Sequence, residues 1–238
     1  MRTLQNIKKG IKYPKLAFTY FWIKLAHVFW LNIPASQFWE DLILSYLIRK
    51  EKWFYVDIGA NDPCFGNNTY YFYQKGWNGI TVEPNKQLYK RISTKRKKGI
   101  NLNIAVWEKG TLTYYEMDCN GMSTCDREIV DFYETKGHKV INTYETIVMP
   151  LNEVLDIHCK NKNIDIMSID VEGMDMEVLK SNNREKYKPH YIVLETLIYI
   201  SDDTPWKKDE EQYTQYLKQY GYEKIADTYV NTIYKLNS

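Results

Sequence analysis

The stretch WFYVDIGANDPCFGNN, residues 53–68, decides the fold of this chain. Its first six residues are aromatic or β-branched apart from Asp57, and this run predicts a short buried strand. Gly59 breaks the strand, and a polar turn leads to a predicted helix over residues 69–75, capped by one of the two asparagines before it. A strand, a glycine turn and a helix N-terminus together form the crevice in which open α/β sheets bind nucleotides.

A carboxylate follows this turn at the spacing expected of a ribose ligand. The second predicted strand, residues 79–83, ends in Glu83, and dinucleotide folds place such an acid about 20 residues after the turn. The second and third glycines of a dinucleotide fingerprint are missing, because Asn61 and Cys64 occupy their positions. Side chains there keep a pyrophosphate away from the backbone. A ligand with a ribose and no phosphates fits better, and S-adenosylmethionine is the common one.

Composition sets limits on the class of protein. The chain has 238 residues, of which 44% are hydrophobic and 26% charged, as expected of one large domain or of a domain with an N-terminal extension. The formal net charge of +2 requires neither a nucleic acid nor an anionic membrane as partner. The four cysteines show no CxxC spacing, which predicts free thiols in a reducing cytoplasm.

Residues 1–52 are predicted to form a helical N-terminal extension. Their basic start is followed by an apolar, aromatic run that Lys24 and His27 interrupt, so the run falls short of the roughly 20 apolar residues that a membrane span needs. We expect the extension to pack on the domain or on a second copy in a homodimer. A membrane-surface helix is the less favoured alternative. The resulting expectation is a soluble cytoplasmic protein without membrane contact.

Helices and strands alternate along the chain. The predicted helices cover residues 38–49, 86–98, 150–159, 174–181 and 204–220, and the further predicted strands cover 100–106, 111–118, 164–170, 190–195, 222–226 and 229–236. Trp206 begins the inward stripe of the last helix, and the last two strands form a terminal hairpin. The KRKK sequence at 95–98 is interpreted as cations that complement a helix C-terminus. Residues 119–147 show the least regular pattern, which is typical of a lid or an acceptor-binding insertion.

Three motifs occur in order along the chain: VDIGANDP at 56–63, NTYYFYQKGWNGITVEPN at 68–85 and IDIMSIDVEGMDMEVLKS at 164–181. Together they resemble the FkbM family of S-adenosylmethionine-dependent methyltransferases, from about residue 53 to the C-terminus. The resemblance implies an α/β class I methyltransferase domain over 53–238, with a Rossmann-like, seven-stranded, mostly parallel sheet and a C-terminal antiparallel hairpin. It also implies O-methylation of a sugar or glycoconjugate, such as a polysaccharide or nucleotide-sugar precursor.

The same resemblance implies a set of cofactor-binding residues. Glu83 would bind the ribose hydroxyls, since a carboxylate offers two acceptors. Asp57 would brace the glycine turn beneath the methionine part of the cofactor, and Ser123 would lie near the cofactor with its neighbours Met122 and Thr124. The full predicted set is Asp57, Gly59, Asn61, Thr69, Glu83, Pro84, Asn85, Ala105, Ser123 and Asp170.

Candidate catalytic residues follow from the rule that ligands bind beyond the carboxyl ends of parallel strands. Asp170 and Glu195 end predicted strands, whereas His190 and His158 precede strands and belong on the opposite edge. A sugar hydroxyl needs a general base to remove its proton. Asp170 is the first candidate for this base, and His138 and Glu195 are the alternatives. Two or three carboxylates there could instead hold Mg²⁺, although no residue is assigned as a ligand. A cap of the helix that follows is the other interpretation of Asp170, and the sequence leaves these roles open.

Two functions of other classes compete with methyl transfer. A Rossmann dehydrogenase is disfavoured by the missing glycines. A non-catalytic module that binds a partner or a membrane surface through the aromatic N-terminal segment is the other alternative. The presence of Asp57, Gly59, Glu83 and Asp170 favours an active enzyme over such a module.

Overall fold

A computed structural model describes residues 34–48, 53–160, 162–199 and 206–237. Its strands are β1 Phe54–Ile58, β2 Asn78–Val82, β3 Ile100–Leu102, β4 Ala105–Val106, β5 Gly110–Met117, β6 Val140–Met149, β7 Ile166–Ile169, β8 Tyr191–Glu195, β9 Leu197–Tyr199, β10 Trp206–Lys208, β11 Tyr222–Asp227 and β12 Asn231–Leu236. Its α-helices are α1 Glu40–Leu47, α2 Tyr70–Gln74, α3 Lys86–Lys95, α4 Arg127–Thr135, α5 Leu151–His158, α6 Asp175–Lys180 and α7 Glu210–Lys218.

Seven of these strands form the central sheet, in the order β11-β12-β8-β7-β1-β2-β3. The five strands from β8 to β3 are parallel to one another, and β12 and β11 add an antiparallel hairpin at one edge. The predicted α/β fold, with its mostly parallel seven-stranded sheet and C-terminal hairpin, is confirmed. In the sheet, β1 pairs on one side with β2, the next strand along the chain, and on the other side with β7. The strand order therefore reverses between β1 and β7, and ligands of such sheets bind at this point.

The glycine turn lies at this reversal point. Gly59 follows β1 with a φ of +80°, and a Cβ built on it would lie 1.8 Å from the carbonyl oxygen of Asp170. Only glycine has both the conformational freedom and the lack of a side chain that this close approach requires. The glycine therefore permits the ends of β1 and β7 to meet.

Alternate residues of β1 pack on opposite faces of the sheet. Val56 and Ile58 belong to a core cluster that includes residues of α5 and α6, whereas Tyr55 packs with Phe72 and Trp77 on the other face. All three β1 residues are buried, and burying a large apolar side chain stabilises a fold by about 1.5–3 kcal/mol. The period-2 pattern also assigns Asp57 to the Tyr55 face.

Two predictions for the middle of the chain are wrong in detail. Residues 100–106 were expected to form one strand but divide into β3 in the central sheet and β4 in a separate sheet of order β4-β6-β5. The division falls at Asn103, whose side-chain amide donates hydrogen bonds to the carbonyl groups of Glu83 and Pro84, at 2.8 and 2.9 Å. This side-chain bonding replaces the strand pairing that would have continued β3.

The segment 119–147 is more regular than predicted. It contains a 3₁₀ turn over Asn120–Met122, the helix α4 and most of β6, which pairs with β5 along its length. Asp126 caps α4 by accepting the N–H of Glu128 at 2.8 Å. The predicted extra strand at 111–118 exists as β5, and its partner is this segment rather than the central sheet. The predicted role of the segment as a lid or acceptor-binding element remains a prediction.

The C-terminal helix begins later than predicted. Residues 204 and 205 lie outside the described residues, but Trp206 is in β10 and the helix starts at Glu210. The inclusion of Trp206 in a helical stripe is therefore wrong, whereas Tyr213 and Leu217 of α7 are buried as expected. Three residues of β10 pair with β9, and this strand pairing overrides the helix propensity of the segment.

The predicted N-terminal extension lies largely outside the described residues. Within residues 34–48, α1 occupies most of the helix predicted over 38–49. None of the helices in the described ranges is long and apolar enough to cross a membrane.

Candidate active site

Glu83 lies directly after β2, beside the turn that follows β1. Its side chain is buried, and each carboxylate oxygen accepts one backbone N–H at 2.7 Å, Oε2 from Asn61 and Oε1 from Asn85. Burial raises the pKa of Glu83 to about 7, and the two N–H bonds partly oppose that rise. Since a carboxylate oxygen has two lone pairs, both oxygens keep capacity for ligand hydroxyls.

Asp57 and Thr69 lie behind the turn rather than in the cavity. Asp57 Oδ2 accepts hydrogen bonds from Thr69 Oγ1 at 2.6 Å, from Asn67 Nδ2 at 3.0 Å and from Arg96 Nη1 at 3.3 Å. Asn67 Oδ1 also accepts the N–H groups of Thr69 and Tyr70 just before and at the start of α2, but Thr69 rather than one of the two predicted asparagines occupies the N-cap position. The structure places Asp57 as a brace for the turn.

Arg96 is a residue that sequence reasoning missed. The interpretation of residues 95–98 as cations that complement a helix C-terminus does not describe Arg96, because its side chain is fully buried and paired with Asp57. The sequence did contain a signal for the burial of Arg96. Leu88, Ile92 and Arg96 recur every four residues, and Leu88 and Ile92 form the buried stripe of α3. The next position of that stripe is therefore expected to point inward, whatever its residue type.

A cavity of about 670 Å³, part of it open to solvent, lies at the carboxyl edge of the sheet. On the β2 and β3 side its lining is mostly apolar, with Leu88, Ile104, Ala105, Val106 and Leu112. On the β7 side it is lined by Asp170, Val171, Glu172 and Met174, and Gly59, Asn61 and Glu83 lie between these two parts. No lysine, arginine or histidine lines the cavity within the described ranges.

Seven of the predicted cofactor-binding residues line this cavity: Gly59, Asn61, Glu83, Pro84, Ala105, Ser123 and Asp170. The other three support it from outside. Asp57 and Thr69 belong to the Arg96 network, and Asn85 caps α3 by accepting the N–H groups of Gln87 and Leu88. Ser123 Oγ accepts the N–H of Met117 at 3.1 Å, so it is held in place by β5.

Carboxyl groups crowd the β7 side of the cavity. Side-chain oxygens of Asp170, Glu172 and Glu195 all lie within 4.8 Å of one another, close enough to share a cation. Burial and the nearby charges of Asp57 and Glu40 raise the pKa of Asp170 to about 6, whereas burial and repulsion from neighbouring carboxylates hold the pKa values of Glu172 and Glu195 well above their usual range. Asp170 also shares a hydrogen bond with Glu195, which lowers the pKa of Asp170 and raises that of Glu195.

Glu172 is held in an uncommon conformation. Its φ of 55° is in the left-handed region, which costs a residue with a side chain about 1–3 kcal/mol and persists mainly at functional sites. Two residues of the 119–147 segment hold it, Thr124 by a hydroxyl bond to the Glu172 carbonyl oxygen at 3.1 Å and Tyr133 by a bond to the carboxylate at 3.3 Å. The segment therefore contacts the acidic cluster directly.

His138 and His190 lie away from the cluster. His138 Nδ1 is 3.0 Å from Asp118 Oδ1, and its ring meets Tyr133 edge-on at 6.2 Å, but it is not among the residues that line the cavity. His190 Nδ1 is 3.6 Å from Oδ1 of Asp165. Asp165 comes just before β7, and both residues lie at the opposite edge of the sheet. Of the three candidate bases, Asp170 lines the cavity, Glu195 lies beside Asp170 without lining it, and His138 is in neither the lining nor the cluster.

The parallel sheet with its cavity at the point of strand reversal defines an α/β protein of the nucleotide-binding type. Residues 57–224, more than half of the chain, match the family model of the methyltransferase FkbM domain. The chain therefore belongs to the FkbM methyltransferase family, and the match lies within the predicted domain.

A comparison with solved structures finds similar chains at low identity. One is precorrin-6y C5,15-methyltransferase from Geobacter metallireducens GS-15, with 13% identity, coverage of 83% of this chain and 86% of that chain, and a TM-score of 0.43. Another is the glycopeptide N-methyltransferase MtfA complexed with sinefungin, with 11% identity, coverage of 86% and 88%, and a TM-score of 0.40. A comparison with curated proteins finds no match.

Proposed function

We propose that the protein is an S-adenosylmethionine-dependent O-methyltransferase that acts on a hydroxyl group of a sugar or glycoconjugate. The observation that carries this proposal is the composition of one cavity, which joins an apolar side, the Glu83 carboxylate and a cluster of carboxyl groups. These three parts suit the adenine ring, the ribose hydroxyls and the cationic sulfonium of the cofactor.

Several residues would hold the cofactor. Ala105 and Val106 offer an apolar surface for a flat ring, Glu83 keeps lone pairs for hydroxyl groups, and Asn61 and Gly59 line the space next to the acidic cluster. The lack of basic side chains around the cavity, in the part of the chain that the structure describes, disfavours a dinucleotide diphosphate. This favours the methyltransferase over the dehydrogenase alternative.

Asp170 is the proposed general base. Bound S-adenosylmethionine supplies a methyl group on a good leaving group, and the acceptor oxygen forms the new C–O bond as the S–C bond breaks. Asp170 takes the hydroxyl proton, and its pKa of about 6 suits a base that works near neutral pH. Glu195 holds Asp170 through their shared hydrogen bond, and His138 has no direct access to the cavity lining. The three clustered carboxyl groups keep Mg²⁺ as the alternative to a base.

A ligand comparison tests the cofactor assignment. Thermal unfolding is measured with S-adenosylmethionine, S-adenosylhomocysteine or NAD added at equal concentrations, because a ligand that binds the folded state raises the melting temperature. We expect stabilisation by the first two and none by NAD. The reverse pattern would make the protein a dehydrogenase, and stabilisation by none would favour the non-catalytic module. Incubation of candidate sugars and nucleotide sugars with labelled cofactor then identifies the acceptor.

We also propose a cytoplasmic location and a partner surface in residues 1–52, either on the domain or on a second copy. The four cysteines are free thiols in the structure, which suits a reducing compartment. Cell fractionation tests the location. Full-length protein found in membranes, together with a soluble and folded variant lacking residues 1–40, would overturn it.

A further inference from the structure

Arg96 connects the two ends of the turn that separates β1 from α2. Its Nη1 donates to Asp57 Oδ2 at 3.3 Å, before the turn, and its Nε and Nη2 donate to the carbonyl oxygen of Pro63 at 3.3 and 3.1 Å, after it. Nη1 also donates to Thr69 Oγ1 at 2.8 Å. The guanidinium thus closes the turn from behind.

The front of the same turn is bonded to the cavity wall. The N–H groups of Gly59 and Ala60 donate to the carbonyl oxygen of Val82 at 3.0 and 3.1 Å, and the N–H of Asn61 donates to Glu83. Asn61 has a φ of 52°, an uncommon conformation that the bonds on both sides of the turn stabilise. Movement of Pro63 or Asp57 would therefore change the direction of the Asn61 N–H that holds Glu83.

The network is more elaborate than stability requires. A buried ion pair contributes little net stability, because desolvation of both charges offsets their attraction, and apolar side chains often replace such pairs without loss. Arg96 is fully buried, and its guanidinium carbon also lies 5.4 Å from the centre of the Tyr70 ring. A geometric role explains this arrangement better than a contribution to stability does.

We propose that Arg96 is a positioning residue for the cofactor: it holds the turn over residues 58–63 in the conformation in which Gly59, Asn61 and Glu83 form one continuous wall of the cavity. This inference rests on the proposed function, in which that wall binds the cofactor. Arginine suits the task because its planar fork donates in several fixed directions, whereas a lysine ammonium cannot span the carboxylate and the carbonyl group together.

The test compares S-adenosylhomocysteine affinity with thermal stability in matched variants. Arg96→Lys keeps the charge and Arg96→Met removes it, while Arg184→Met is the control. Arg184 is also buried and donates to a backbone carbonyl group, that of Leu179 at 2.9 Å, but it does not line the cavity. All three variants are expected to melt at a lower temperature than the wild type. We expect the dissociation constant to rise at least about tenfold in both Arg96 variants and to stay within about twofold in Arg184→Met.

The outcomes separate the two proposals. A wild-type protein that does not bind S-adenosylhomocysteine would refute the proposed function and this inference with it. A wild type that binds, with folded Arg96 variants of lower melting temperature and unchanged affinity, would show that Arg96 only stabilises the fold. If the Arg96 variants do not fold, Thr69→Val carries the test, because it removes the hydroxyl between Arg96 and Asp57 and keeps both charges. Unchanged affinity in that variant would overturn the inference, and a rise of about threefold or more would support it.

Discussion

Asp57 and Asp170 lie near the carboxyl ends of neighbouring strands, yet their surroundings are opposite. Asp57 accepts hydrogen bonds from an arginine, a threonine and an asparagine. Asp170 faces the carboxyl groups of Glu172 and Glu195, with no basic side chain in the described cavity lining. The same residue type thus braces the backbone at one strand end and belongs to a cluster of carboxyl groups at the other.

The difference shows how to separate scaffold from chemistry among buried acids. When a buried carboxylate is fully paired, its hydrogen bonds and ion pairs with protein groups offset the free-energy cost of removing its charge from water. Crowded carboxyl groups without a cation raise one another's pKa and destabilise the fold, a cost that active sites commonly carry. The crowding at Asp170 is therefore the stronger indication of function.

The largest expected effect comes from Asp170→Asn, which keeps the shape of the side chain and removes its charge. With an acceptor found by the labelled-cofactor screen, turnover should fall by about 10²–10⁴, the range for loss of a general base. S-adenosylhomocysteine affinity, measured by calorimetry, should stay nearly unchanged. Asp156→Asn is the control, because Asp156 forms an ion pair with Lys186 and does not line the cavity. Near-normal turnover of Asp170→Asn would remove Asp170 from catalysis; the alternative role as a cap of the following helix is wrong, because α6 begins at Asp175 with Met174 at its N-cap position.

A smaller effect is expected from Glu83→Ala. Loss of a charged hydrogen-bond partner should weaken S-adenosylhomocysteine binding by about 1.5–3 kcal/mol, roughly 10- to 150-fold. Calorimetry on the folded variant measures this. Asp165→Ala is the matched control, since Asp165 is also buried and accepts a backbone N–H, that of Phe54 at 2.7 Å, at the opposite edge of the sheet. Equal affinity in wild type and Glu83→Ala would remove Glu83 from the cofactor site.

The acidic cluster should make stability depend on pH. The folded-state pKa values of Asp170 and Asp175, about 6 and about 7, lie above the ordinary value of 3.8 because of burial and neighbouring carboxyl groups. Between about pH 4 and 7 the folded state holds protons that the unfolded chain releases, so stability falls as pH rises through this range. We expect the ligand-free protein to melt at a higher temperature at pH 6 than at pH 8. Glu195→Gln removes a carboxyl group whose own pKa lies well above its usual range, so the difference in melting temperature between pH 6 and pH 8 should be smaller in this variant; an unchanged difference would place the titration elsewhere.

Removal of metal ions should have the smallest effect. If Asp170 is a base, EDTA leaves turnover within about twofold of its starting value, since no step needs a cation. The measurement is the rate of methyl transfer before and after chelation, with Mg²⁺ added back. Loss of activity that Mg²⁺ restores would instead make Asp170, Glu172 and Glu195 metal ligands.

Much of the site follows from strand ends that a sequence displays. Gly59, Glu83 and Asp170 each end a recognisable apolar run, and the rule for parallel sheets places all three at one edge. Arg96 could not be recognised as a brace in this way, because its role depends on a carbonyl group 33 residues away. The positive φ of Glu172 could not be predicted either, since contacts from Thr124 and Tyr133 maintain it.

The sequence by itself determined the α/β class, the succession of most strands and helices, and which residues end the parallel strands. These features depend on periods of two and 3.6 residues, which neighbouring residues display. Only the tertiary structure decided that residues 100–106 divide between two sheets, that 119–147 pairs with β5, and which carboxyl groups touch. Those outcomes depend on partners distant in the chain. A buried polar group is stable only where such a partner satisfies it, and local patterns do not show where that partner lies.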